Sequence, residues 1–299
     1  MHAPGRMAAV VLNYRSAPTT INAVHALQAS TRVPDEVIVV DNGSGDGSEQ
    51  ALIAALPTAR VIQTGKNLGF SGGCNVGIAQ AQRAGADTVV LVNSDAVVSP
   101  ECLQRLEAAL WEQPALGVVG PLIVSGDGLV ESAGISYSMV TGRMRHLGFG
   151  RPGKSLSTRT VDGVSGCVMM IRRSTLERVG LLTEDYFFSF EDLDYCLRAR
   201  SAGILTACVG DAVALHQGAH TIGKKSPLRV YFATRNHLLM AARAMPLPVV
   251  PSLLRGGTIA ALNLAHALLT SEARLVPGVA AVVRGVRDHL RRVYGASEG

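Results

Sequence analysis

What most constrains this chain is an alternation in its first hundred residues between short unbroken apolar runs and helix-length stretches. The runs are Met7–Leu12, Glu36–Val40, Arg60–Gln63 and Thr88–Val92. Three of them end on polar turns: Asn13-Tyr14-Arg15, Asp41-Asn42-Gly43 and Asn93-Ser94-Asp95. Runs without polar alternation suit strands covered on both faces, which is how parallel sheets are buried. Between them Thr19–Ser30, Ser48–Leu56, Gly73–Ala84 and Pro100–Glu112 have helical length. Asp46 or Ser48 caps one of these, and Ser99-Pro100 opens another. The layout predicts an α/β fold, a mostly parallel sheet flanked by helices.

Beyond residue 118 the pattern changes. Val118–Val161 reads as short strands and loops, and Thr141–Thr160 within it holds four arginines and Lys154 but no acid. That segment is either a solvated loop or a lid over an anionic substrate. Val168–Arg172 and Ala212–Leu215 read as strands and Ser174–Val179 as a helix. From Pro227 onward the periodicity is helical, and these helices are expected to pack on the body. Leu253–Leu269 is interrupted by Arg255, Asn263 and His266, so it falls short of the roughly 18 apolar residues that a membrane span needs. A helix lying at a membrane interface is a second reading, because Arg274, Arg284, Arg287, Arg291 and Arg292 adjoin apolar positions.

Composition narrows the class. Of 299 residues, 47% are hydrophobic, which excludes wholesale disorder and permits a core without covalent staples. Five cysteines with no CxxC pair argue against a disulfide framework or a thiolate zinc site. A net charge of +5 is too small to demand a nucleic acid. The first residues lack a signal-peptide layout, so a cytoplasmic location is expected.

Ligands of open α/β sheets bind beyond the carboxyl ends of the strands. The polar residues there (Asn13, Tyr14, Asp41, Asn93, Ser94 and Asp95) are therefore the first site candidates. A dinucleotide fingerprint is missing after the first strand, and no P-loop occurs. Lys66–Gly77 has glycines at 69, 72, 73 and 77, with Asn67 and Asn75 among them. It opens a helix whose free N–H groups would suit an anion, and Lys66 would add charge toward a diphosphate. The alternative is a tight turn with close helix packing. Tyr186, Phe187, Phe188 and Phe190 are four of the twelve Phe and Tyr, and they directly precede Glu191, Asp192 and Asp194. Asp194 is spaced to pair with Arg198. Glu191 and Asp192 fall in a helix's first turn, where the dipole keeps a carboxylate ionised. They are general-base candidates or ordinary helix-start acids. His216 ends another apolar strand, and with Asp95 it would suit Mn²⁺ or, less ideally, Mg²⁺.

Five ordered motifs carry a resemblance: VVLNYRS (10–16), VVDNGSGDGS (39–48), NLGFSGGCNVGI (67–78), LVNSDAVVSP (91–100) and FFSFEDLDYCLRA (187–199). LHQGAHTIGKKS (215–226) and YFATRNH (231–237) add to it. Over about residues 7–240 the chain resembles family 2 glycosyltransferases of the GT-A fold, nearest the rhamnosyltransferase-like and galactofuranosyltransferase-like branch. The resemblance implies a catalytic domain over 1–225 and a helical extension over 226–299. It implies that Asn13, Tyr14 and Asp41 hold base and ribose, that Asn67 and Asn75 lie near the nucleotide-sugar, and that Asp95 and His216 bind a divalent metal. It further implies Asp192 as the base of an inverting displacement, with Glu191 contacting the acceptor. Asn93 stands where the family's metal motif has its first Asp.

The expected reaction moves a sugar from dTDP-rhamnose or a UDP-sugar to a hydroxyl of a glycan, a lipid-linked sugar or a small molecule. Peripheral membrane contact through the C-terminal helices and a homodimer are compatible partners. The alternatives are a nucleotidyltransferase and a non-catalytic sugar-nucleotide binder.

Overall fold

The computed structural model describes residues 5–154, 156–218, 226–270 and 275–297. Its first half runs β1 (Met7–Asn13), α1 (Ala17–Gln28), β2 (Glu36–Asp41), α2 (Ser48–Ala55), β3 (Arg60–Gln63), α3 (Gly69–Arg83), β4 (Thr88–Asn93), β5 (Ala96–Val98) and α4 (Cys102–Glu112). The middle holds β6 (Leu116–Ser125), β7 (Val130–Ser132), β8 (Ile135–Tyr137), β9 (Met144–His146), β10 (Arg159–Val161), β11 (Val168–Arg172) and α5 (Arg173–Val179). Then come α6 (Glu191–Ser201), β12 (Leu205–His216), α7 (Pro227–Ala244), α8 (Val249–Thr270) and α9 (Leu275–Leu290).

The main sheet has the order β10-β12-β6-β11-β4-β1-β2-β3. Strands β3, β2, β1 and β4 are parallel, β6 and β12 are parallel to each other, and β11 is wedged antiparallel between β4 and β6. Because β11 runs backwards, its start lies beside the end of β4: the Asn93 N–H donates to the Cys167 carbonyl at 2.9 Å. Gly166 and Cys167 thereby reach the ligand edge of the sheet. Strand β12 is longer than its four-residue apolar signature, and a register shift falls between Val209 and Val213.

Side-chain alternation divides the core. Met7, Ala9 and Val11 face α1, α2 and α4, whereas Ala8 and Val10 face α3, α5 and α6. A parallel strand buried on both faces needs this continuous apolar run, which is why the strands were readable. Helix α3 begins at Gly69, four residues before the expected Gly73. A Cβ on Gly77 would lie 2.2 Å from Val10 and one on Gly73 would lie 2.3 Å from Leu12, so these two glycines let α3 press against β1. Cys74, Cys102, Cys167, Cys196 and Cys208 are buried free thiols, in line with the absence of a disulfide framework. No helix among the described residues is long and apolar enough to cross a membrane. Of the 215–226 motif, residues 219–225 lie outside the described residues, as does Arg274.

Candidate active site

Two clefts adjoin at the carboxyl edge of the sheet. The smaller, with a volume of about 200 Å³, includes Tyr14, Asn42, Asn67, Asn93, Asp95 and Arg229 in its walls. The larger, about 630 Å³, has Glu191 and Asp192 in its wall, with Arg143, Arg145, His146 and His266. Phe70, Asn93, Phe188, His216 and Arg229 border both. The structure therefore brings Tyr14, Asn67, Asn93, Ser94, Asp95 and His216 together in one cleft, and Glu191 and Asp192 into its neighbour. From the basic 141–160 segment, residues 143–146 line the larger cleft.

Four expected residues sit elsewhere. Asn13 and Asp41 are fully buried beneath the smaller cleft. The Asn13 amide donates to Asp41 at 2.7 Å, and Gln63 donates to the other Asp41 oxygen at 2.5 Å. With Ser44 also donating to it, the Asp41 carboxylate is consumed internally and shapes the floor. Asn75 is buried and spends both ends of its amide on Leu182, with a further bond to Glu184 at 3.0 Å. It ties α3 to the 182–184 segment and does not reach either cleft. Lys66 is exposed and outside both walls.

The start of α3 also differs from the anion-cradle reading. The Leu68 N–H donates to Asn42 Oδ1, the Gly69 N–H to Asn67 Oδ1 and the Phe70 N–H to the Phe187 carbonyl. These amides already have partners, so the cation facing the smaller cleft is Arg229, whose guanidinium lies 5.8 Å from the Phe188 ring centre. Arg229 sits in the first turn of α7, where the sequence offered no strand-end signal.

Asp192 is held at the mouth of α6 by backbone donors. Its Oδ2 accepts the Gly166 N–H at 2.8 Å, and its Oδ1 accepts the Leu193 N–H at 2.7 Å. Burial raises the Asp192 carboxyl above its ordinary value despite these donors. Glu191 is buried, its Oε2 has no partner, and burial followed by the neighbouring Asp192 charge pushes it to about 8. The dipole of α6 therefore does not keep Glu191 ionised as its first-turn position suggests. Desolvation outweighs the helix terminus. Asp194 has a structural part: it accepts from Tyr186 at 2.8 Å, Thr183 at 3.0 Å and Arg198 at 2.9 Å.

The aromatic loop before α6 is strained and clamped. Phe187, Ser189 and Phe190 have φ of 56°, 69° and 75°, a region costly for side-chain-bearing residues. Fully buried Arg235 donates to the carbonyls of Asp185 and Tyr186, and Asn236 donates to those of Tyr186, Phe188 and Ser189. Phe190 stacks on His237, with ring centres 4.7 Å apart. The YFATRNH motif thus acts as the clamp that holds the loop delivering Asp192.

Fit to a divalent cation rests on three residues. Asp95 Oδ1 lies 3.4 Å from His216 Nε2, and Asn93 Oδ1 is buried without a partner. Glu131, which nothing in the sequence singled out, takes His216 Nδ1 at 2.6 Å and leaves Nε2 toward Asp95. Burial pulls His216 down, but hydrogen bonds and charge from Asp95 and Glu131 outweigh it and raise the group. A carboxylate oriented on the far nitrogen of a ligating imidazole is the usual arrangement around a bound metal. Among the described residues no three His, Cys, Asp or Glu side chains are grouped to hold a metal by themselves. One carboxylate, one imidazole and an amide oxygen fit a Mn²⁺- or Mg²⁺-type ion that a ligand helps to coordinate.

At this sheet edge the smaller cleft, which Asp95 and His216 line, adjoins a larger one, which Asp192 lines. Residues 8–180 match the family model described as Glycosyl transferase family 2. The N-acetylglucosaminyl-diphospho-decaprenol L-rhamnosyltransferase of Mycobacterium tuberculosis is 31% identical over 236 residues, covering 72% of this chain and 77% of the relative. The dTDP-rhamnosyl transferase RfbF of Shigella flexneri is 25% identical over 254 residues, covering 78% of each. The fold is also similar to mannosyltransferase PcManGT from Pyrobaculum calidifontis in complex with GDP-Man and Mn2+, with a TM-score of 0.59 and 16% identity over 96% of this chain and 88% of that one. The chain belongs to glycosyl transferase family 2 and has the GT-A fold.

Proposed function

We propose that the protein transfers a sugar, with inversion, from a nucleotide-diphosphate sugar in the smaller cleft to an acceptor hydroxyl in the larger one. The observation that carries the reading is Asp192, held by two backbone N–H groups in the larger cleft, where residues shared with the donor cleft bring the two substrates together. Each Asp192 oxygen keeps a lone pair free of its backbone donor. One takes the acceptor O–H proton while the acceptor oxygen forms its bond to the anomeric carbon and the bond to the diphosphate breaks. A raised pKa makes Asp192 a stronger base than an ordinary carboxylate. Glu191 lines the same cleft, and burial, then the Asp192 charge, raises its carboxyl well above the ordinary value.

Arg229 takes the leaving-group role first expected of Lys66. Asp95, His216 and the Asn93 oxygen would hold a Mn²⁺ or Mg²⁺ ion with the diphosphate, and the ion would supply Lewis acidity to the departing group. The two named rhamnosyltransferases favour dTDP-rhamnose as donor over a UDP-sugar. A sugar carried on a lipid diphosphate is the favoured acceptor, after the mycobacterial relative's name. Cytoplasmic location and a division into a catalytic domain (1–225) and a helical extension (226–299) belong to the same reading. Incubation with dTDP-rhamnose and a panel of UDP-sugars, with and without acceptor, tests it. Acceptor-dependent release of one nucleoside diphosphate supports transfer, and release from none of them rejects it.

A further inference from the structure

The amphipathic pattern of α8 is inverted. Its one charged residue, Arg255, is 4% exposed and points inward, donating to the carbonyls of Met139 at 3.1 Å and Met245 at 2.8 Å. Asn263 also faces inward and donates to Ile259, and Ile259 and Ala267 are buried beside them. Val249, Val250, Leu253, Leu254 and Leu269 of the same helix are each between 66% and 86% exposed. On α9, Val276, Val283 and Leu290 are exposed as well. A helix facing water would show the reverse arrangement, and apolar surface of this extent marks an interaction face.

We propose that the outer surface of α8 and α9 seats the protein on an anionic phospholipid bilayer. Charge selects this occupant. From Met245 onward the sequence has six arginines against three acids, Glu272, Asp288 and Glu298, and Asp288 is buried and engaged by Tyr231 and Arg287. Arg291 and Arg292 are exposed at the end of α9. Apolar side chains flanked by an excess of arginines suit the boundary between acyl chains and anionic headgroups. The larger cleft opens along this helix, since Leu262, Asn263 and His266 of α8 line it. Resting on the transfer reading, the surface also defines the acceptor as an amphiphile whose sugar stands out from the bilayer into that cleft.

The test is sedimentation of the full chain with phosphatidylglycerol-containing vesicles and with phosphatidylcholine vesicles, beside light scattering without lipid. The wild type is expected to sediment with the anionic vesicles. Leu253→Glu combined with Leu254→Glu, at exposed positions outside both clefts, is expected to lower the bound fraction about tenfold or more with an unchanged thermal midpoint. Arg291→Glu with Arg292→Glu is expected to abolish the preference for anionic lipid. No vesicle binding by the wild type, or equal binding by the leucine variant, overturns the proposal. So does a lipid-free dimer that the leucine variant turns into a monomer, because the face then serves a second copy. Diphosphate release with a water-soluble acceptor separates the two readings. A wild type that turns over but ignores vesicles sinks the surface alone, whereas one that binds vesicles but cleaves no nucleotide-sugar sinks the transfer reading alone.

Discussion

Replacing Glu191 by glutamine isolates the most displaced carboxyl in the catalytic cleft. Glu191 is 7% exposed, and burial followed by the Asp192 charge moves it from 4.5 to about 8. Its folded-state pKa is raised, so its contribution to stability is fully present below the unfolded value and is lost as pH rises through the folded one. Between pH 4.5 and about 8 the unfolded chain releases this proton while the folded chain keeps it. At about 1.4 kcal/mol per pH unit, the wild type loses on the order of 3–5 kcal/mol over that window. In Glu191→Gln the side chain has nothing to ionise, so the variant's curve lacks this loss. Thermal midpoints of both proteins from pH 4.5 to 8.5 give the comparison, and titrating groups away from the Glu191–Asp192 pair cancel between them. The variant should gain on the order of 10 °C over the wild type by the alkaline end, at roughly 2–4 °C per kcal/mol. Parallel curves would refute the reasoning and return Glu191 to the ionised state that the start of α6 alone would dictate.

Arg229→Ala should weaken nucleoside-diphosphate binding about 10- to 100-fold by calorimetry, the worth of a charge-assisted hydrogen bond, while Lys66→Ala changes it less than about twofold. Equal effects would remove Arg229 from the donor cleft. Glu131→Ala should release His216 Nδ1 and cost about 10- to 100-fold in Mn²⁺ affinity, read by electron paramagnetic resonance titration of the free ion. Unchanged affinity would detach Glu131 from the metal site. Asn236→Leu leaves the carbonyls of Phe188 and Ser189 without their donor and should cost about 2–4 kcal/mol by denaturant unfolding, with turnover falling more than nucleotide binding. Wild-type turnover at reduced stability would show that the clamp does not position Asp192.

The parallel half of the sheet was legible because Met7–Leu12 and Thr88–Val92 are apolar at nearly every position, as strands covered on both faces must be. The direction of β11 was not, since Val168–Arg172 carries no mark of running antiparallel, yet that reversal delivers Gly166 to Asp192. The strand-end acids were readable by position, but Asp41 and Asp95 look alike in sequence. Only the packing of Asn13, Ser44 and Gln63 around Asp41 separates a floor residue from a lining one. Glu131 was hidden because β7 is three residues long and meets His216 across 85 positions. The glycines of 69–77 were compatible with a ligand-binding loop and with close packing, and the contacts with β1 account for Gly73 and Gly77 by packing while Gly69 lines the smaller cleft. Arg255 read as an interruption of an apolar helix, whereas its side chain points into the protein and leaves the apolar residues outside.

The base assignment is tested most directly by Asp192→Asn, followed by nucleotide-sugar binding and acceptor-dependent diphosphate release in the same preparation. The amide fills the same space and its oxygen accepts one of the two backbone N–H groups, from Gly166 or Leu193, but it cannot take a proton. Donor affinity should stay within about twofold while turnover falls by about 10²–10⁴, the usual worth of a general base. Turnover near the wild-type rate with donor bound would contradict the assignment of Asp192.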